Sequence, residues 1–223
     1  MVFFGKVPRF LLVQLFLPIQ KKVVLLQSQK IKKIMANRYD ISVMKAVLLY
    51  IVGRWSGTQE CDVYHIVKAA FYAQKYHLAR YFTPLYPDTI VALPYGPVPS
   101  AMYDVLKIAR GDVQAMRYHK NDGLGEVAAA VHFENEAFST NERPDMDYLS
   151  RSQVECLDDA LAEVGRMDFN TIRNTTHQNE WNRAFNDPVS KKMDMVAIAK
   201  EEGANSDALE YLKESLELDE ALM

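Results

Sequence analysis

The stretch Leu93-Pro94-Tyr95-Gly96-Pro97-Val98-Pro99-Ser100-Ala101-Met102-Tyr103-Asp104 decides how the rest of this chain is read. Each of its three prolines holds φ near −65° and withdraws a backbone donor, while Gly96 can take dihedrals closed to residues with a Cβ. Pro99 suits the first turn of a helix, where a missing N–H costs nothing. Ala101, Met102, Val105, Leu106, Ile108 and Ala109 then recur at helical spacing as far as Gly111, a terminator placed just after Arg110. The stretch reads as a rigid elbow from a strand into a helix. Such an elbow either only aims its helix or also meets a partner, and propensity does not choose between the two.

Working outward, Thr89-Ile90-Val91-Ala92-Leu93 is β-prone, and Asp62 is placed to cap a long helix from Val63 to about Tyr81. Val63, Ile66, Val67, Ala70 and Phe71 share one face of that helix, and Tyr72, Tyr76 and Tyr81 make its second half aromatic, as suits half-buried positions. Asp40 is expected to cap a preceding helix through Ile41, Met44, Val47, Leu48 and Ile51 that ends at Gly53. Downstream, Asp122-Gly123 between residues 116–119 and 127–133 predicts a hairpin. Ser150-Arg151-Ser152-Gln153 fits a capping box, with Leu149 stapled onto Val154, ahead of the stripe Val154, Leu157, Leu161, Val164. A short piece at 168–172 follows. Thr175 and Gln178 offer a second capping box, for a helix carrying His177, Trp181, Ala184 and Phe185 on one face. Beyond a segment at 193–199 and a break at Gly203, Ser206 is expected to cap a last helix with the stripe Leu209, Leu212, Leu216. The expected fold is mainly α (α+β), a compact helical domain with a small two- or three-stranded antiparallel sheet.

Charge divides the chain. Residues 1–34 hold seven Lys and Arg and no acid, which leaves 19 basic against 29 acidic residues in the remainder, a net of −10. Phosphate contacts need clustered cations, so nucleic-acid binding by this acidic body is not expected, whereas its charge is compatible with a basic protein partner. The apolar run 10–17 is too short to cross a bilayer, which takes about 20 residues. No small-residue cleavage site follows it. Residues 1–34 read as an extension upstream of a natural start at Met35, with a targeting or membrane-surface segment and an integral helix as the alternatives. The expected layout is therefore the extension 1–34, a domain at 35–190 and an acidic helical tail at 191–223. Two cysteines, Cys61 and Cys156, without a CxxC spacing, point to a reducing cytoplasm and away from a structural zinc site.

No nucleophile elbow, HExxH, Walker A or full dinucleotide fingerprint is present; Gly123-Leu124-Gly125 is a fragment of the last. Cys61 and His65 share a helical face without a second ligand pair, so no metal or cofactor is expected. His177 with Glu180 has the spacing to orient an imidazole for proton transfer, or simply to make a structural hydrogen bond beside Trp181. Asp158-Asp159 reads as a solvated helix face.

The order of motifs adds a resemblance. Phe71-Tyr72-Ala73-Gln74-Lys75-Tyr76-His77-Leu78, the elbow Val91–Asp104, and a closing Thr176-His177 with Trp181 together resemble the Panacea (SocA-like) antitoxin domain over about residues 40–187. The resemblance marks His77, Tyr95, Gly96, Pro97, Val98, His177 and Trp181 as family-motif positions. This chain departs from it at Arg80-Tyr81-Phe82-Thr83, where the family usually has a glycine, and at Tyr86-Pro87-Asp88, where it tends to a Gly-Asp turn. It implies a small helical antitoxin, phage-associated or otherwise of mobile-element origin, that neutralises a cognate protein toxin by direct binding without catalysis. A second implied behaviour is a proteolytic adaptor that hands the bound toxin to a protease; an enzyme or a DNA-binding regulator is the remaining class. Expected partner contacts are Tyr72, Tyr76, Tyr95, Pro97, Val98, Tyr103, Leu209, Leu212 and Leu216, because aromatic and aliphatic anchors carry most binding energy. Core packing is the competing role for each of them.

Overall fold

Helix α2 (Val63–Tyr81) gathers the other elements around itself. Its cap forms as the sequence predicts, with Asp62 accepting from the His65 N–H at 2.8 Å. Twelve of its 19 residues are buried, so nearly every face meets protein. It packs against α6 (Arg151–Val164), α9 (Met195–Glu201), α3 (Ser100–Ala109) and the hairpin of β1 (Ile90–Leu93) and β2 (Gly96–Pro99). The computed structural model describes residues 41–56, 58 and 61–222. The expected extension 1–34 and the Asp40 cap lie outside these residues. Helix α1 spans 41–55 and adds Val47, Leu48, Ile51 and Val52 to the same core. It runs through Gly53 to Trp55 because one internal glycine costs only about 1 kcal/mol and does not by itself end a helix.

Three polar side chains of α2 are buried, and each ties down a loop. Gln74 accepts at Oε1 from the Leu85 and Tyr86 N–H groups and donates to the Tyr86 carbonyl. His77 bonds the Thr83 carbonyl through Nδ1 at 2.8 Å and the Ser152 hydroxyl through Nε2 at 3.1 Å. Burial lowers its pKa against the opposing pull of the Thr83 carbonyl, so the neutral ring serves both bonds. Lys68 is the third. Phe82, which closes α2, sits at φ 59, in the left-handed region that a glycine enters without cost, so the departure from the family pattern falls on a conformationally strained residue.

The elbow is a hairpin before it is a helix start. Pro94 and Tyr95 form its tip, and Gly96 takes φ 101 immediately after them, the left-handed residue that such a short connection calls for. Pro97 and Pro99 face Ala92 and Ile90, while the Ser100 N–H bonds the Thr89 carbonyl. Ala92 N–H and the Ile90 carbonyl instead bond Lys191 and Met193, which places a third extended segment along β1. The two prolines thus stand where β2 owes no N–H to the ladder. α3 follows directly, its first amides capped from a distance by Asp88, which accepts from Ala101 and Met102 at 2.8 and 3.0 Å. It ends at Arg110 with Gly111 left-handed at φ 87, as the sequence pattern predicts.

The mainly helical class with a small antiparallel sheet holds, with the strand content in two separate two-stranded ribbons. The hairpin expected around Asp122-Gly123 does not form. Residues there make α4 (Val113–Tyr118) and α5 (Leu124–Ala128), capped by Asp112 and entered through Gly123 at φ 88. The second ribbon lies later, β3 (His132–Glu134) with β4 (Ala137–Ser139), turning through Asn135 and Glu136, both at positive φ. The Ser150–Gln153 capping box is present at the start of α6. The second expected box is not. Thr175 belongs to α7 (Phe169–Thr176), its hydroxyl bonded back to the Thr171 and Ile172 carbonyls, and α8 (Asn179–Asn186) starts at Gln178 with no side-chain cap. Asn205, rather than Ser206, accepts from the Ala208 N–H at the start of α10 (Ser206–Leu222). Residues 191–222 belong to the same compact unit as the rest of the described chain: 191–193 pair with β1, α9 packs on α2, and α10 packs on α9.

Candidate functional site

Of the motif residues, Gly96, Pro97, His177 and Trp181 meet at the β1–β2 hairpin, whereas His77 ties down the Thr83 loop and α6 and Tyr95 projects from the hairpin tip. Lys68, 1% exposed, reaches up from the middle of α2 and donates from Nζ to the Pro97 carbonyl at 2.8 Å. Its ammonium also lies 5.4 Å from the centre of the Tyr64 ring. A Cβ at Gly96 would come within 2.7 Å of Thr176 Oγ1 and 2.8 Å of Lys68 Nζ, so only glycine lets the hairpin seat here. On the other side, Trp181 donates from Nε1 to the Leu93 carbonyl at 3.1 Å. His177 stacks on Trp181 at 3.6 Å, and Trp181 stacks on Phe185 at 4.6 Å. Two backbone carbonyls of the hairpin, Leu93 and Pro97, are therefore held by side chains of α8 and α2, more than a hundred residues apart in sequence.

Charge is scarce in this cluster. Burial lowers the Lys68 pKa from 10.5 to about 7, so its amine is partly neutral at physiological pH. Burial, and then the nearby Arg173 and Lys68 cations, lower that of His177, whose Nε2 is buried without a hydrogen-bond partner. The expected His177–Glu180 pair does not form. Glu180 is buried and takes Arg183 through two bonds of 2.8 and 2.7 Å, and it also accepts from the Asp194 N–H. The Cys61–His65 pair is equally apart in chemistry: Cys61 is a buried free thiol, and His65 bonds Asp62. Asp158 and Asp159 are exposed, as the sequence reading expects, and from that solvated face they also tie α6 to α1 through Tyr50 and Arg54 and to α2 through Arg80. Among the described residues no three His, Cys, Asp or Glu side chains are grouped to hold a metal, and no helix is long and apolar enough to cross a membrane.

The expected contact residues divide sharply. Tyr95 is 63% exposed at the hairpin tip. Pro97 and Val98, two and three residues on, are buried between β1 and α2. Tyr72 and Tyr76 are also buried, the first bonding Thr175 Oγ1 at 2.7 Å and the second donating to Glu163, so they join α2 to α7 and α6 instead of facing outward. Tyr103 is half-buried under Lys107, and Leu212 is fully buried with Leu209 and Leu216 packed beside it. These side chains offer a partner little because the elements that cover them arrive from far along the sequence.

Three residues absent from the sequence reading complete the site. Lys68 was detectable as the one charge between Asp62 and Lys75 in an otherwise apolar and aromatic run. Tyr64 and Phe169 carried no local signal. In the fold, Phe169 bridges two other rings, 4.7 Å from Tyr64 and 5.8 Å from Tyr95. The result is a row of accessible aromatic side chains above the buried lysine.

A family model described as "Antitoxin SocA-like, Panacea domain" matches residues 66–182, just over half of the chain and the whole of the cluster from Lys68 to Trp181. No curated protein and no solved structure matches the chain. With the hairpin, the His-Leu helix and the His177–Trp181 stack all inside the matched region, the chain belongs to the SocA-like antitoxin family built on the Panacea domain.

Proposed function

We propose that this protein is an antitoxin that neutralises a protein toxin by binding it directly and without catalysing a reaction. The family match across residues 66–182 carries the reading. The geometry supports it, because the hairpin is locked from beneath by Lys68 and Trp181 while its tip presents Tyr95 to solvent. A rigid loop that displays an aromatic anchor loses little entropy on association. The acidic body favours a toxin with a basic surface.

Co-expression with the product of the adjacent open reading frame tests this. Growth arrest by that product alone, relieved when this protein is present together with a stable complex on gel filtration, is the expected result. A harmless neighbour, or toxicity that persists, overturns the reading. The adaptor behaviour is the second reading, favoured by the exposed Tyr211 and Leu218 on α10. It requires the toxin's half-life to fall when this protein is present, and an unchanged half-life removes it.

A further inference from the structure

The aromatic row does not stop at Tyr64. Tyr64 also lines a groove of about 710 Å³ between the start of α2 and the β3–β4 ribbon. Phe133 and Val63 supply apolar lining, and Asp62, Glu134 and Glu136 supply carboxylates. Tyr95, Phe169, Tyr64 and the groove thus form one continuous track, with exposed rings at one end and an acidic trough at the other.

We propose that this track is the surface that receives the toxin, and that its occupant is a toxin segment carrying an apolar or aromatic anchor followed by Lys or Arg. The inference rests on the antitoxin reading and assigns its interface. Three observations select that occupant. First, Tyr64 and Phe133 give the groove aromatic walls that suit an apolar or aromatic anchor, with Arg110 of this chain covering one face of Phe133 at 5.0 Å. Second, Glu134 and Glu136 are both exposed and make no ion pair among the described residues, leaving their charge available to a basic partner. Third, the turn that holds them is strained. Glu136 sits at φ 63, a conformation costing a residue with a Cβ about 1 kcal/mol or more, and it directs two carboxylates to the groove rim. A net of −10 outside the first 34 residues extends the same complementarity over a longer range. The exposed Tyr95 and Phe169 form the apolar anchor point, where clustered rings normally concentrate binding energy.

The test uses the full chain and the product of the adjacent open reading frame, scored by growth rescue and by affinity of the purified proteins. Tyr95→Ser/Phe169→Ser is expected to weaken binding by about thirtyfold or more and to abolish rescue. Glu134→Lys/Glu136→Lys is expected to slow association by about tenfold and to flatten its salt dependence, since rim charges act mainly on the on-rate. Tyr118→Ser and Met146→Ser, at exposed side chains off the track, should bind as the parent does. All four variants alter exposed side chains, and unchanged thermal melts establish that they are folded. Track variants that are folded and bind within threefold of the parent overturn the interface while leaving the antitoxin reading intact. A parent chain that neither binds nor rescues overturns the antitoxin reading and the interface with it.

Discussion

Lys68 Nζ stands 2.8 Å from the carbonyl oxygen of Pro97, 29 positions away in sequence, with both residues buried. This bond joins the middle of the central helix to the hairpin that defines the family. An ammonium is an expensive group to bury for that purpose. Its environment answers the cost partly with the Tyr64 ring and partly by weakening the charge itself.

The consequence is a stability that depends on pH in a defined direction. The Lys68 pKa falls from 10.5 to about 7 on folding, so between pH 7 and 10 the unfolded chain binds more protons than the folded one. Stability contributed through this group therefore rises with pH across that window, by at most about 1.4 kcal/mol per pH unit. Lys68→Met should remove this slope. Urea midpoints of both proteins from pH 6.5 to 9.5 check it, and parallel curves would show that Lys68 titrates normally.

Gly96→Ala should be among the most damaging small substitutions. It places a methyl group within 2.7 Å of Thr176 Oγ1 at a backbone φ of 101, combining a clash with left-handed strain. A loss of about 2 kcal/mol or more is expected. Gly53→Ala provides the contrast, since its Cβ would meet nothing within 4 Å on a helix interior, and a gain of up to about 1 kcal/mol is expected. Chemical denaturation of the two variants side by side decides the matter.

His119 behaves oppositely to Lys68. Burial opposes its charge, but its hydrogen bonds to Asp122 at 2.6 Å and Asp104 at 2.9 Å outweigh that and raise its pKa. The stabilisation is complete below the ordinary histidine pKa of about 6.5 and fades as pH climbs through the raised folded value. The α3–α4–α5 corner should consequently loosen on the alkaline side. A fall in amide protection factors around 119–124 between pH 6 and 8, after the intrinsic rise of exchange with pH is divided out, is the expected signature, and it should be absent in His119→Gln.

Glu136→Gly should stabilise the free protein by about 1 kcal/mol, because glycine adopts φ 63 without the Cβ conflict. If the β3–β4 turn is strained in order to present its carboxylates, the same substitution weakens toxin binding as it raises the melting temperature. A melt and a binding isotherm on one preparation read both effects.

Much of this architecture is legible in the residues alone. Asp62, Ser150 with Gln153, Arg110 with Gly111, and the prolines of the elbow each specify a helix boundary or a turn through bonds spanning one to four residues. Such interactions are complete within a short peptide, so no distant element can revoke them. The misreadings occur where two local solutions compete. Asp122-Gly123 suits a hairpin or a helix entry, and Thr175 suits a cap or the last turn of the preceding helix; in the fold its hydroxyl is committed to Tyr72 and the carbonyls behind it.

Exposure is of another kind. Tyr72, Tyr76 and Tyr95 are the same residue type, each expected to serve as a partner contact, yet two are buried against α6 and α7 while the third projects from the hairpin. The pairing of Lys68 with Pro97 and the row from Tyr95 through Phe169 to Tyr64 likewise depend on segments up to about a hundred residues apart in sequence. Burial is a property of whatever packs against a side chain, and those neighbours are brought in only when α2, α6, α7 and the hairpin close on one another. Local sequence chemistry thus determined the elements and the elbow that identifies the family. Long-range packing determined which of the elbow's side chains became core and which remained available to a partner.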